Sequence, residues 1–338
     1  MERGKFILSI KEPWIDSYTT YAHLLSILQT DKRTTEWIFS NLLQMYMNKD
    51  LLSNSWGEFY KPLPYELSLF EVCKWIDIQK VRREDITISP EKCLQYFCDE
   101  LSKGYYLHLI IEHKRIKSIE TNNHSHDALV YGIDICNNEV YVQDVFINGK
   151  LERKIIPLNE FLDSVMLCKI NPAGDYMKGS IYSYKIKEEC DYEFAPENIW
   201  NSLKEYYAAK TPEYWRLFNH ANAKYMTFGI DIYDALIEYL DKIDFSVNHL
   251  DVRPFYVMKD HSTIVALTMK FLWENYFDDN FDYEKIIVIY ERVGVLMEQA
   301  CILLLMIGRT KNRSKIPKLQ ELIQQVKECE KKMVEYLA

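Results

Sequence analysis

Glycine is scarce in this chain of 338 residues, at 10 in all, under half the share of about 7% that soluble proteins carry. No GxGxxG and no GxxxxGK[ST] occurs, so the phosphate-cradling loops of Rossmann enzymes, kinases and P-loop NTPases are missing. Positive charge is in deficit too. Lys and Arg number 41 against 50 Asp and Glu, a formal net charge of -9, which gives no general attraction to nucleic acid or anionic lipid. Nucleic-acid and membrane partners are not expected. The longest strongly apolar run, Ala300 to Ile307, falls far short of the roughly 20 residues that a bilayer span needs. The opening MERGKFILSIKEPW has neither a continuous apolar region nor a small-residue cleavage site, so the expected location is cytoplasmic. Eight cysteines show no CxxC and no metal-finger spacing, and they read as reduced and mostly buried.

What is present is a large apolar fraction. Hydrophobic residues make up 48% of the chain and charged ones 27%, which is ample for a packed core and fits two domains. The first half mixes periods and the second is helical in pattern, with a boundary near residues 188 to 197. A helix is expected from about Tyr18 to Thr30, N-capped by Asp16 or Ser17, and another from Thr34 to Met47. An irregular segment from Leu51 to Arg83 carries Pro62 and Pro64. Pro90 then opens a helix through Leu101 that stops at Gly104. β-Branched and aromatic runs predict strands at Tyr105 to Ile111, Ala128 to Ile135, Glu139 to Phe146, Val165 to Ile170 and Ser180 to Ile186, with Asn137-Asn138 at a turn. Helices followed by an antiparallel sheet make an α+β domain over 1–188. Over 189–338 apolar residues recur at three and four, predicting helices at Gly229 to Asp244, Pro254 to Phe277 and Tyr283 to Ile307. A final helix buries Ile316, Leu319, Ile323 and Val326. Short links imply an all-α antiparallel bundle.

One stretch carries chemistry. His124-Ser-His126-Asp-Ala-Leu-Val-Tyr-Gly132-Ile-Asp134 is followed by a second strand that holds Asp144. If residues 137 and 138 make the turn, the strands pair antiparallel and their side chains converge on one edge. An Asp that accepts from one imidazole nitrogen fixes the tautomer, leaving the other nitrogen free to take a proton from a nucleophile. His126 and Asp144 are thus a candidate base and its orienter.

His126 with Gly132, Asp134 and Asp144 resembles the H-x5-G-x-D…D pattern of papain-like cysteine peptidases of the bacteriocin-processing kind. More closely, the chain is similar to the butirosin-biosynthesis acyltransferase family, whose papain-like N-terminal domain precedes a helical domain. The segments FGIDIYDALIEYL and FYVMKDHSTIVALTMKFLW extend the likeness loosely over most of the chain. The resemblance implies a papain-like fold for residues 1–188 and a nucleophile at the start of the first long helix, where the dipole lowers a thiol pKa. Ser17 stands at that position, and Lys11 stands where the family has its oxyanion-hole Gln. Ser17 is accordingly a natural serine nucleophile, a replaced cysteine, or a helix cap.

The implied reaction is acyl transfer from a carrier-protein thioester to an amine or other small-molecule nucleophile in secondary-metabolite (antibiotic) biosynthesis. Ser17 would be the nucleophile, His126 the base and Asp144 its orienter. The partner would be an acyl or peptidyl carrier protein, and no cofactor is expected beyond that carrier's phosphopantetheine. The alternatives are a catalytically silent scaffold or a peptidase-like hydrolase or thioesterase. A metal set of His108, His113, His124 and His126 has no i,i+4 pair or CxxC behind it, and no metal is expected. His261 reads as helix packing. One cationic cluster, Arg309, Lys311, Arg313 and Lys315 with Lys318, lies between the last two helices. It reads either as a solvated loop or as a dock for an acidic carrier protein.

Overall fold

The computed structural model describes residues 4–59, 69–122, 124–169, 176–210, 224–276 and 282–337. The protein is mixed α and β, with an antiparallel sheet and several helices. It divides into two compact units that interleave along the chain: Met1–Thr34 with Ser68–Tyr192, and Thr35–Leu67 with Glu193–Ala338.

The first unit is built on seven antiparallel strands: β1 Lys5–Ile7, β2 Ile76–Arg82, β3 Tyr106–Glu112, β4 Ser125–Asp134, β5 Glu139–Ile147, β6 Lys150–Pro157 and β7 Ser180–Ile186. Their order is β2-β7-β3-β4-β5-β6, and β1 pairs with residues 132–134 of β4 along the edge opposite β5. All seven residues of β3 are buried, as befits a central strand covered on both faces. One face packs its apolar side chains, among them Leu109, Ile111, Val130 and Val142, against helices α2 (Pro90–Ser102) and α3 (Leu158–Met166). Helix α2 starts as its sequence predicts, with Pro90 in the first turn and the Ser89 hydroxyl accepting from the Lys92 amide at 3.3 Å. Across the sheet lies α1 (Thr19–Leu28), buried from Tyr21 to its end. Its Ser26 hydroxyl meets Gln143 of β5.

Asn138 takes the left-handed conformation at φ 57°, and Asp134 Oδ1 accepts from the Asn137 amide at 3.1 Å, closing the expected β4–β5 turn. Gly132 is needed for a different reason. A Cβ there would meet Ile7 Cα and the Phe6 carbonyl oxygen at 3.1 Å, because β1 is paired closely alongside it, with Ile7 opposite Gly132.

Several expectations are corrected. Residues 158–166 are helical, so the predicted strand at Val165 to Ile170 does not form; Leu158, Phe161 and Val165 make a buried helical stripe. Ile170 lies outside the described residues, as do Pro62 and Pro64. The segment read as irregular holds β2. The helix expected from Thr34 to Met47 ends at Asn41. Strand Met45–Asn48 follows it and pairs with Gly57–Phe59 and with Met226–Phe228. This small sheet lies in the second unit, which is therefore not all-α, and residues 35–67 pack there rather than with the sheet they precede. The unit's main helices run Ile232–Lys242, Arg253–Asn275, Tyr283–Thr310 and Ile316–Lys331. None of the eight cysteines is in a disulfide; three of them (Cys73, Cys93 and Cys301) are buried, not most. No described helix is long and apolar enough to cross a membrane.

Candidate active site

His126 sits one residue into β4, and the rungs joining β4 to β5 stop at Leu129–Gln143. His126 and Asp144 therefore stand just past the last rung, where the two strands separate. His126 Nδ1 donates to Asp144 Oδ1 at 2.5 Å. Asp144 Oδ2 accepts from His113 Nε2 at 2.8 Å, and Oδ1 also takes the Val145 amide at 2.6 Å. Both His113 and Asp144 are fully buried, whereas 28% of the His126 side chain is exposed. His126 Nε2 has no hydrogen-bond partner among the described residues, which leaves it the nitrogen available for proton transfer. Burial alone would raise the Asp144 carboxyl, but the two imidazoles that donate to it outweigh burial and hold it below the usual range. For His126, burial pulls the pKa down, yet the Asp144 bond and the charges of Asp144 and Asp127 lift it to about 9. At neutral pH the ring is an imidazolium. That form suits a thiolate neighbour, whereas a serine hydroxyl needs the neutral ring.

No protein-family model matches the chain, and no curated protein matches it.

A second buried carboxylate lies beside the first. Strand alternation turns Asp127 and Gln143 toward α1, opposite to His126 and Asp144, and the two sets meet at the end of the sheet. Asp127 accepts from the Thr19 hydroxyl at 2.8 Å and from His108 Nε2 at 2.9 Å. His126 Nδ1 is 3.6 Å away and His23 Nε2 3.7 Å. Burial would raise the Asp127 carboxyl, but His108, His126 and His23 together hold it far below the ordinary carboxylate range. Burial, then the charge of His108, pushes His23 down to about 4.

The Thr19–Asp127 bond brings the first turn of α1 to the His126 end of the sheet. Ser17 precedes that turn with its Oγ buried. It is not the N-cap, and neither is Asp16: the cap is Tyr18, with no side-chain capping bond. The approach to Ser17 is tied to α1. The Lys11 amide donates to the Ser26 carbonyl at 3.0 Å, and Gln29 takes the Trp14 amide at 3.0 Å while donating to the Glu12 carbonyl at 2.9 Å. Asp134, part of the sequence pattern, serves the turn and pairs with Lys5 at 3.0 Å, away from the chemistry.

The four histidines weighed as a metal set do not converge. His108 binds Asp127, whereas His113, His124 and His126 lie together with ring centroids 5.3–6.0 Å apart, and of these three only His113 and His126 bond to Asp144. His261, in the second unit, is fully buried and donates to the Leu43 carbonyl at 2.8 Å. In the cationic cluster, Lys311 ends the long helix in the left-handed conformation, and its ammonium lies over Phe245. Arg313 is occupied, since its guanidinium donates to the Ile243 and Asp241 carbonyls at the end of helix Ile232–Lys242. Arg309 and Lys315 have no ion-pair partner among the described residues. Ile302, Leu305 and Met306, each 43–55% exposed, lie just before them on the long helix. His23 and Asp127 are the site residues that sequence reasoning did not single out, and His113, weighed there only as a metal ligand, was not seen as a partner of Asp144.

Proposed function

We propose that the protein is an acyl-transfer enzyme in which His126 is the base, Asp144 its orienter and position 17 the nucleophile. The observation that carries the reading is the 2.5 Å bond from His126 Nδ1 to a fully buried Asp144, with Nε2 left open. In the proposed reaction the Ser17 oxygen attacks the carbonyl of a thioester while Nε2 of the neutral form of His126, whose share grows as pH rises toward about 9, takes the hydroxyl proton. The tetrahedral intermediate collapses, the C–S bond breaks and the imidazolium returns its proton to the departing thiolate. An amine or water then attacks the acyl-enzyme with the same proton traffic in reverse. The thioester would be borne by a carrier protein's phosphopantetheine. The exposed Ile302, Leu305 and Met306 beside Arg309 and Lys315 form an apolar patch edged by cations, which suits an acidic carrier surface. The papain-like character of the first unit belongs to the same proposal, supported by a buried helix laid against the strands that carry the base and its orienter.

The test introduces a better nucleophile. Ser17→Cys is expected to give a thiol that reacts with iodoacetamide at least about tenfold faster than the native cysteines, because an adjacent imidazolium stabilises the thiolate. Adding His126→Ala is expected to abolish the enhancement. Intact-mass spectrometry after incubation with acyl-loaded carrier proteins should show an adduct at position 17. A thiol of ordinary reactivity, indifferent to His126, would replace the enzyme with a silent scaffold.

A further inference from the structure

We propose that His23, His108 and Asp127 form a binding site for one divalent cation of the zinc class. Among the described residues these are the one group of three ligand-type side chains whose donor atoms converge, all within 4.8 Å of one another. They come from three elements, α1, β3 and β4, so the site is made by helix–sheet packing and no short motif announces it. All three are buried. Both imidazoles turn Nε2 toward the same oxygen, Asp127 Oδ2, at 2.9 Å from His108 and 3.7 Å from His23. The longer separation exceeds a hydrogen bond, and His23 Nε2 is a fully buried polar atom with no hydrogen-bond partner.

The opposite nitrogens are already engaged. His108 Nδ1 faces the Tyr184 hydroxyl at 3.4 Å, and His23 Nδ1 faces the Gln143 amide at 3.1 Å. Outer groups that hold Nδ1 while Nε2 points inward are the usual support of metal-ligating histidines. Two imidazoles and a carboxylate suit zinc and its first-row neighbours, and leave one position of a tetrahedral ion for water or an added ligand. Ligation through His23 Nε2 puts that ring's proton on Nδ1. Gln143 must then present its carbonyl oxygen, with the amide turned over from the orientation in which Oε1 accepts from Arg153 Nε at 3.3 Å. The inference uses neither Ser17 nor the His126–Asp144 pair.

The experiment takes the full chain, stripped with a chelator, and titrates it with Zn2+ against a chromogenic competitor and with Co2+ as a spectroscopic probe. The expected result is one ion bound per chain, a raised Tm, and Co2+ absorption typical of a four- or five-coordinate nitrogen and oxygen site. His23→Asn and His108→Asn should each weaken binding by more than about tenfold. His124→Asn, in the neighbouring imidazole cluster, should leave it unchanged. Gln143→Glu supplies the acceptor that Nδ1 requires and keeps a partner for Arg153, so it should bind at least as tightly as the wild type. If the histidine variants lose their fold by circular dichroism, X-ray absorption of the Zn2+-loaded wild type decides: a shell with two imidazoles supports the site, and one without them overturns it. No uptake of Zn2+, or uptake that survives both histidine substitutions in folded protein, also overturns it. None of these readings depends on acyl transfer, so they fail or succeed apart from the iodoacetamide test.

Discussion

Asp144 is the residue on which two imidazoles depend, and they depend on it unequally. His113 is fully buried and spends its Nε2 proton on Asp144, whereas His126 is partly open to solvent. Removing the carboxylate therefore strands a buried donor, and Asp144→Ala is expected to lower the unfolding free energy by about 3–5 kcal/mol. His126→Ala leaves the His113–Asp144 bond in place and should lower it by less than Asp144→Ala does. Urea unfolding of the two variants checks this; equal losses would show that His113 is not what anchors Asp144. His126, Gly132 and Asp144 could be found from sequence because all three lie in one hairpin at spacings a hairpin fixes. The bond from His113 to Asp144 could not, since the sheet brings His113 in from the turn after β3. Asp127 and His23 meet only because α1 packs on β4, and the sole local hint is that Asp127 interrupts the apolar alternation.

At the scale of elements, two of the strands that sequence reasoning missed, β2 and β6, are the two ends of the main sheet's strand order. Edges carry charge to discourage further pairing, and residues such as Lys80, Arg82, Glu152 and Lys154 mask the alternation that marks inner strands. Val165 failed in the opposite sense, because a short apolar run fits a strand or a buried helix equally well. Helix Ile316–Lys331 was found from its apolar face, but that face also buries a carboxyl. Glu330 is wholly buried and accepts from Tyr206 at 3.0 Å and Tyr233 at 2.9 Å. Burial raises its pKa to about 7 despite those two bonds. Between the unfolded value of 4.5 and about 7 the native state holds more protons than the unfolded chain, so stability falls as pH rises through that window. The loss attributable to this group is about 3 kcal/mol. Glu330→Gln, which cannot ionise, should flatten that part of the stability curve; an unchanged slope in urea titrations from pH 4.5 to 7 would assign it to other groups.

For the whole molecule, a division after residue 188 is almost where the last crossing between units occurs, yet it overlooks an earlier one. Residues 35–67 belong with 193–338, and composition does not mark the change because Met45, Tyr46 and Met47 are as apolar as a helix core. What decides their fate is a strand distant in sequence: Met226–Phe228 pairs with Met45–Asn48, and the buried His261 donates to the Leu43 carbonyl. Such non-local pairing overrides local helix preference. It follows that the second unit is incomplete without the earlier segment. Residues 193–338 made alone would expose the unpaired edge of Met226–Phe228 and leave the His261 ring buried without an acceptor. They are expected to show helical circular dichroism without a cooperative thermal transition. The same residues with 35–67 joined to their N-terminus through a flexible linker are expected to melt cooperatively. A sharp transition for 193–338 alone would mean that the helices of the second unit carry its stability, and that the three-stranded sheet merely rests on them.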